Sequence, residues 1–290
     1  MAVRVGVGLG GFGFEDRRGW FRYVERLEEA GVDSFWQTDR LVSKEPYLES
    51  MAAMAALAGA TDRIKFGMNA VVVGFRDPLV LAKQCATIDY LSGGRLLPVF
   101  GVGADHAPEW KATGKDKARR GAKANEALTL LARLWSEESV DFDGEFFQYR
   151  GARIEPRPIQ QPLPLWIGGA SPAAQRRTAR LGTGWLAGIT PVGAVASVIQ
   201  GIQAECERIG RRLDPEHFGA TIPFHFGEPT ASLGARFARA AGTDDPREIV
   251  AIGGAETLIE RVRAYLEAGA SKFVMLPLAR TEKEIREQTE

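Results

Sequence analysis

The fold is decided by residues 156–185, PRPIQQPLPLWIGGASPAAQRRTARLGTGW. Four prolines, at 156, 158, 162 and 164, keep the chain extended, and Leu165–Ile167 then form a short apolar strand. The strand ends at Gly168-Gly169, and Ser171 and Pro172 begin a helix as cap and first-turn residue. A strand that ends in glycines and turns directly into a helix can direct backbone N–H groups at an anion. An ordinary strand-to-helix connection would use the same residues.

Strands and helices alternate along the chain in both directions from this unit. The predicted strands, each followed by a helical pattern, are Val3–Leu9, Asp33–Thr38, Ile64–Val73, Leu96–Val102, Leu165–Ile167, Gly184–Ala187, Phe218–Phe226 and Lys272–Leu276. Val140–Tyr149 interrupts this order as a hairpin turned at Asp143-Gly144. Eight such units in 290 residues predict an α/β fold, a single-domain (β/α)8 TIM barrel over residues 1–290 with a hairpin insertion after the fourth helix. Residues 227–254 are the least regular region, and we expect a partly helical insertion there.

The composition argues against several classes of protein. The 37 basic and 37 acidic residues cancel, which disfavours a nucleic-acid or acidic-membrane surface. Cys85 and Cys206 lie far apart, which disfavours disulfides and a cysteine-bound metal, and the three histidines lack metal-ligand spacing. No apolar run approaches the ~20 residues that span a bilayer, and the N-terminus does not resemble a signal peptide. We therefore expect a cytoplasmic protein without a metal, nucleic-acid or membrane partner.

The first strand runs into Gly8-Leu9-Gly10-Gly11-Phe12-Gly13, which satisfies the GxGxxG dinucleotide fingerprint and has Asp33 about 20 residues further on. A true fingerprint leads straight into a helix of small apolar residues, whereas Phe14–Arg18 is mostly charged. The eight strand–helix units also exceed the six strands of the dinucleotide-binding fold. We expect these glycines instead to keep one side of a barrel mouth open to a flat ligand.

Candidate site residues are those that follow the strand ends, because the active sites of such barrels lie at the carboxyl ends of the strands. They are Asp39, Arg40, Asn69, Ala70, Ala104, Asp105, His106, Gly168, Gly169, Ala170 and Ser171. His106 is the one histidine in a strand-to-helix loop, which makes it a candidate acid or base. A polar loop residue without a catalytic role is the alternative. His217 and His225 flank the seventh strand, and we expect them to be structural.

Several segments, in order along the chain, resemble the bacterial-luciferase-like superfamily. They are EAGVDSFW at 29–36, DYLSGGR at 89–95, FGVGA at 100–104, Leu134-Trp135, PLWIGG at 164–169 and Gly184-Trp185. Within that superfamily the chain is most similar to the coenzyme F420-dependent oxidoreductases of actinobacterial type. The resemblance covers residues 4–276 and is weakest between residues 190 and 250.

The resemblance implies a barrel that holds a flavin or deazaflavin at its carboxyl-terminal mouth. The ring would lie against a bulge after the third strand, where Asn69–Ala70 matches a non-proline cis peptide bond. Asp39 matches the acid near the ring, Ala104-Asp105 the loop after strand four, and Gly168–Ser171 the phosphate-binding turn. The implied activity is hydride transfer between C5 of coenzyme F420 and a small organic substrate. A homodimer is expected by the same analogy.

One position departs from the family pattern. Many deazaflavin enzymes carry a histidine after the acid of the second strand, where this chain has Arg40. Because arginine cannot act as a base at neutral pH, we expect Arg40 to bind an anionic substrate or a cofactor carboxylate. His106 would then supply the acid or base.

Two other functions fit the same residues. An FMN-dependent monooxygenase would use reduced flavin and O2, and a non-catalytic flavin-binding relative would bind cofactor without turnover, with Arg40 blocking the substrate space. The acidic tail of F420 favours a basic groove, and the candidate contributors are Lys44, Arg119, Arg120, Arg176 and Arg177. A solvated helix face is the simpler interpretation of these basic residues.

Overall fold

Eight parallel strand positions close into a barrel in the computed structural model, which describes residues 3–231, 233–235 and 245–289. The strands of the chain are β1 Arg4–Leu9, β2 Ser34–Gln37, β3 Lys65–Met68, β4 Val71–Val72, β5 Val99–Gly101, β6 Val140–Asp143, β7 Gln148–Ala152, β8 Trp166–Gly168, β9 Gly184–Ile189, β10 Phe218–Phe226, β11 Ala251–Gly253 and β12 Lys272–Pro277. Hydrogen bonds join nine of these strands in the order β3-β2-β1-β12-β10-β9-β8-β5-β4. Because β3 and β4 are two halves of the third predicted strand, this order is a closed ring. The (β/α)8 prediction is confirmed.

Helices cover the outside of the barrel. They are α1 Arg17–Glu29, α2 Ser50–Ala60, α3 Pro78–Leu91, α4 Glu109–Ala112, α5 Arg120–Ser136, α6 Pro172–Leu181, α7 Val192–Arg208, α8 Ala255–Glu267 and α9 Glu282–Thr289. The Asp16 and Asp77 side chains cap α1 and α3 by accepting hydrogen bonds from first-turn N–H groups. Helix α2 begins at Ser50, because the Glu49 side chain caps it by accepting a hydrogen bond from Ala52 N. Local capping chemistry therefore decides where these helices start.

The two regions that interrupt the alternation differ in how well the sequence predicts them. Strands β6 and β7 form the predicted antiparallel hairpin, in the insertion between α5 and β8. The irregular region 227–254 contains the short strand β11, which extends the sheet beside β10, and a 3-10 turn at Pro246–Glu248. The sequence did not predict β11. Residues 232 and 236–244 of the expected partly helical insertion lie outside the described residues.

Two tryptophans fill much of the barrel interior, and glycines lie where neighbouring strands approach their rings. Trp36 and Trp166 pack with Val99, Leu186 and Val274 in one buried cluster. A methyl group at Gly67 would lie 2.7 Å from the Trp36 ring, and one at Gly184 would lie 2.6 Å from Trp166 Nε1. Strands that bring these rings together therefore need glycine at the points of contact.

The same constraint explains the glycine-rich N-terminus. A methyl group at Gly6 would lie 2.8 Å from Trp36 Nε1, and one at Gly8 would lie 2.8 Å from a Val274 methyl carbon. Gly6 and Gly8 alternate with outward residues of β1, so their spacing reflects the period of a strand. Of the three glycines in the GxGxxG match, Gly8 is thus required by packing in the barrel interior. The barrel fold excludes the dinucleotide-binding interpretation.

A largely buried ion pair lies at the end of the barrel opposite the mouth. Lys272 Nζ lies 2.5 Å from Asp33 Oδ2 and 5.8 Å from the centre of the Trp36 ring. Burial lowers the pKa of Lys272, and this effect exceeds the opposing influence of Asp33. The pKa of Asp33 is also lowered, because Lys272 and Lys65 outweigh the effect of its burial.

We expect Gly184→Ala to lower the free energy of unfolding by about 1–3 kcal/mol, because the added methyl group meets Trp166 and the His217 carbonyl. Gly59→Ala in α2 is the matched control, since no atom lies within 4 Å of its added methyl group. The control should raise the free energy of unfolding by about 0.5–1 kcal/mol. Guanidinium denaturation followed by circular dichroism measures both, and similar small shifts in the two variants would contradict the packing account.

Candidate active site

A bulge in the third barrel strand forms one wall of the mouth. The Asn69–Ala70 peptide bond between β3 and β4 is cis, as the sequence comparison implied. Asn69 Nδ2 donates a hydrogen bond of 2.8 Å to Thr221 Oγ1 on β10, and Thr221 Oγ1 donates to the Ala187 carbonyl oxygen at 2.9 Å. The bulge is thus tied across the barrel to two other strands. Thr221 was not a sequence candidate, because a threonine inside an apolar strand has no feature that distinguishes it.

The Asp39 carboxylate lies inside this wall and is fully bonded there. Its two oxygens accept hydrogen bonds from Arg76 at 2.7 and 2.8 Å, from Ser50 Oγ at 2.8 Å and from Val72 N at 3.2 Å. Burial acts to lower the pKa of Arg76, but the hydrogen bonds to Asp39 and Glu49 outweigh this effect, so that pKa is raised. Because Val72 belongs to β4, the Asp39–Arg76 pair holds the backbone that follows the bulge.

Three neighbouring strand ends form an open shelf beside the bulge. A methyl group at Gly101, the end of β5, would meet only Ala70 Cβ, at 3.6 Å. At Gly168, the end of β8, the nearest atoms are Ala70 Cβ and two carbonyl oxygens, all at 3.8 Å. The nearest side-chain atom to either added methyl group is Ala70 Cβ, which is itself a methyl carbon. The shelf, defined as Ala70, Gly101 and Gly168, therefore offers bare backbone to a planar ring.

The N-terminus of α6 adjoins the shelf directly. Gly169 has a φ of +99°, a conformation that favours glycine, and its carbonyl oxygen accepts a hydrogen bond of 2.8 Å from Trp185 Nε1. Ser171 Oγ caps the helix by accepting from Ala174 N, and Pro172 supplies the first helical residue. The first-turn N–H groups of a helix have no acceptor within the helix, so this end is suited to an anion. The predicted Gly168–Ser171 turn is formed as the sequence indicated.

The loop after β5 carries the remaining sequence candidates. Ala104 accepts a hydrogen bond of 2.9 Å from Trp110 Nε1, and Asp105 forms ion pairs with Lys117 at 3.1 Å and Arg120 at 3.2 Å. The hydrogen bond and charge of Lys117 lower the pKa of Asp105. His106 is exposed in this loop and does not line either cavity described below. Its catalytic role stays a prediction.

Two cavities open at the mouth and share Thr38, Ile189 and Leu276 in their walls. The inner cavity, about 170 Å³, lies over the barrel axis and is lined by Asn69, Thr221 and Gly188. The outer cavity, about 350 Å³, lies between the loops that follow β1, β2 and β12 and includes Arg40. The outer volume is at the lower end of the ~300–1,000 Å³ that small-molecule sites occupy.

The basic residues considered for a cofactor tail separate into two groups. Arg177 is buried, donates to Asn125 Oδ1 at 2.7 Å and to the Gly121 carbonyl oxygen, and burial lowers its pKa. Arg119 forms a bidentate pair with Glu145, and Arg120 pairs with Asp105. Lys44 and Arg176 are exposed and have no ion-pair partner in the part of the chain that the structure describes. Arg177 was therefore wrongly proposed as a tail contact, because it packs α6 against α5.

Metal-ligand clusters and membrane-spanning helices are both absent from the described ranges. No group of three or more His, Cys, Asp or Glu residues there is arranged to hold a metal ion. No helix within those ranges combines the length and apolarity that would let it cross a membrane.

Comparisons with curated proteins identify several relatives. The F420-dependent glucose-6-phosphate dehydrogenase of Amycolatopsis mediterranei is 31% identical over 175 residues, which are 57% of this chain and 51% of that protein. The enzyme of the same name from Nakamurella multipartita is 26% identical over 286 residues, 85% of this chain and 83% of that protein. The chain thus aligns with about half the length of the first of these relatives.

Solved structures share the fold at lower sequence identity. An F420-dependent secondary alcohol dehydrogenase in complex with an F420-acetone adduct superposes with a TM-score of 0.80 at 18% identity, covering 98% of this chain and 96% of that one. The monooxygenase RslO1 from Streptomyces bottropensis superposes with a TM-score of 0.78 at 19% identity, covering 99% and 98%. A family model described as luciferase-like monooxygenase matches residues 4–242, which are most of the chain. By this match the chain belongs to the luciferase-like monooxygenase family.

Proposed function

We propose that this protein is an oxidoreductase that transfers a hydride between C5 of coenzyme F420 and a small organic substrate. The observation that carries the proposal is the shelf of Ala70, Gly101 and Gly168, which is continuous with the open N-terminus of α6. A planar ring on the shelf and a phosphate at the helix end match the two parts of a deazaflavin nucleotide. Relatives over more than half of this chain are named F420-dependent dehydrogenases.

When bound, F420 supplies the hydride chemistry, and the chain supplies position and proton transfer. Asn69–Ala70 would contact the ring, and Gly168–Ser171 would hold the phosphate. The Asp39 carboxylate would act from within the wall by holding Val72 and the bulge through its bonds to Arg76. Ala104 and Asp105 would border the ring on the β5 side, where His106 would exchange a proton with the substrate oxygen.

The FMN-dependent monooxygenase is the second candidate, favoured by the solved monooxygenases that share the fold. The shelf and the helix end accept either ring system, so they do not separate the two cofactors. The acidic tail of F420 would separate them. Among the basic residues considered for that tail, Lys44 and Arg176 are exposed and have no ion-pair partner in the described residues.

We further propose a homodimer in a reducing cytoplasm. Both cysteines are free and buried, which suits a reducing compartment. Val80 and Leu91 lie on one side of α3, since eleven residues are close to three turns of ~3.6 residues. They are 54% and 61% exposed, which supports an apolar contact between two copies.

Separate titration of the purified protein with F420 and FMN tests the cofactor. We expect F420 to bind more tightly, and Gly101→Val to weaken its binding at least tenfold, about 1.4 kcal/mol, because the added methyl groups occupy the shelf. Gly59→Ala is the control and should bind as the wild type does. Tight FMN binding with no detectable F420 binding would contradict the leading proposal.

Replacement of His106 tests the proton-transfer role. We expect His106→Ala to lower kcat about 100-fold, in F420 reduction by glucose 6-phosphate or by a secondary alcohol, because general acid–base catalysis contributes at least this much. His225→Ala is the control, since its ring bonds to the nearby Gly227 carbonyl oxygen and lies outside both cavities of the mouth. Full turnover of His106→Ala would remove His106 from the mechanism.

The dimer is tested by light scattering after size-exclusion chromatography. A Val80→Glu/Leu91→Glu variant should have the mass of a monomer, because the proposed contact would then bury charge. Ile259→Glu, an exposed position on α8, should keep the mass of the wild type. An unchanged mass in the α3 variant would place the interface elsewhere.

A further inference from the structure

The outer cavity holds more positive than negative charge. Arg40 follows β2 and Arg280 follows β12, and both line this cavity together with one acidic residue, Glu45. The Arg280 guanidinium has no hydrogen-bond or ion-pair partner in the described part of the chain, although its backbone N–H donates to Glu284. A cavity with two arginines and one carboxylate has an excess of donors for an oxyanion.

Glu109, which does not line the outer cavity, forms an ion pair with Arg40. Its Oε1 lies 3.5 Å from Arg40 Nη1, its side chain is 2% exposed, and its Oε2 has no hydrogen-bond partner among the described residues. Glu109 is part of α4, which Trp110 anchors by stacking edge-on against Phe75 at 4.5 Å. A single ion pair uses only part of the five-donor guanidinium, so Arg40 retains donors for a ligand.

The outer cavity is also separate from the proposed phosphate site. Going round the barrel, β1 and β8 are separated by β2, the β3/β4 pair and β5 on one side and by β12, β10 and β9 on the other. The cavity belongs to the β1, β2 and β12 ends, whereas Gly168–Ser171 follows β8. An anion bound beside Arg40 and Arg280 therefore lies across the mouth from an anion at α6.

The rest of the cavity wall is mostly apolar. Phe12, Ile189, Leu276 and Leu278 line it, and Tyr47 contributes a ring whose hydroxyl is already bonded to the Gly10 carbonyl oxygen. Apolar walls around two cations favour a ligand with one charged end and an apolar body.

We propose that this cavity is a subsite for a small organic oxyanion, a carboxylate or phosphate monoester with an apolar body, bound by Arg40 and Arg280. This inference rests on the proposed function, because it takes the bound anion to be the substrate of the oxidoreductase. The hydride-exchanging part of such a ligand would extend from the outer cavity into the inner one, towards Asn69 and the shelf.

The test measures binding of three probes to the full chain without cofactor, by calorimetry: benzoate, phenyl phosphate and the neutral benzamide. We expect at least one of the two anions to bind about tenfold or more tighter than benzamide. Tighter binding of benzoate than of phenyl phosphate would indicate a carboxylic acid substrate. The reverse order would indicate a phosphate monoester. Equal binding of anions and benzamide would overturn the proposal.

Variants locate the site. Arg40→Gln and Arg280→Gln should each reduce the preference for the anion severalfold, and the double variant should abolish it while benzamide binding stays unchanged. Arg180→Gln, an exposed arginine on α6 to which no binding role is assigned, is the matched control and should keep the preference. A preference that survives the double variant, or is lost in the control, would also overturn the proposal.

Two further variants separate this proposal from the cofactor proposal. Gly101→Val should leave benzoate binding intact while it weakens F420 binding. Failure of F420 to bind the wild type, with the anion preference retained, would reject the cofactor and keep the subsite. Loss of benzoate binding in Gly101→Val would show that the anion binds on the shelf, which contradicts the subsite.

Discussion

The packing of Trp36 and Trp166 against strand glycines is the constraint on which the rest of the structure depends. A barrel of eight strands has an interior that side chains must fill, and here two indoles fill much of it. Rings of this size fit only where neighbouring strands carry no side chain, as at Gly67 and Gly184. The strand register that results sets where each strand ends, and therefore which residues reach the mouth.

The mouth is asymmetric because its two halves are built from different groups. Around β4, β5 and β8 the strand ends present methyl groups or glycines, and the α6 N-terminus adds N–H donors. Around β1, β2 and β12 the loops present arginines and apolar side chains. A cofactor that needs flat backbone contact and a substrate that needs a charged anchor would thus bind opposite halves, with their reacting parts meeting over the axis.

Some charged residues near the mouth hold its backbone in place, and others line the cavity where a ligand would bind. Asp39 is the clearest case: its position after β2 and the family resemblance both suggested ring contact, but Arg76, Ser50 and Val72 use its oxygens. Arg76 precedes the α3 cap and has no sequence feature that pairs it with Asp39. Arg280 could have been found, because it follows the last strand as the other candidates follow theirs. Thr221 and Glu109 could not, since their importance depends on partners across the barrel.

The sequence by itself determined the order of eight strand–helix units, the hairpin and the Gly168–Ser171 turn that leads into α6. The units, the hairpin and this turn follow from local chemistry, because strand and helix periods, caps, prolines and glycines act over a few residues. The cis bulge at Asn69–Ala70 came from family resemblance. Only the tertiary structure decided which charges neutralise one another, which glycines face the tryptophans and which arginines share a cavity. Those pairings join residues far apart in the chain, and they depend on strand register and the closure of the barrel, which no local pattern encodes.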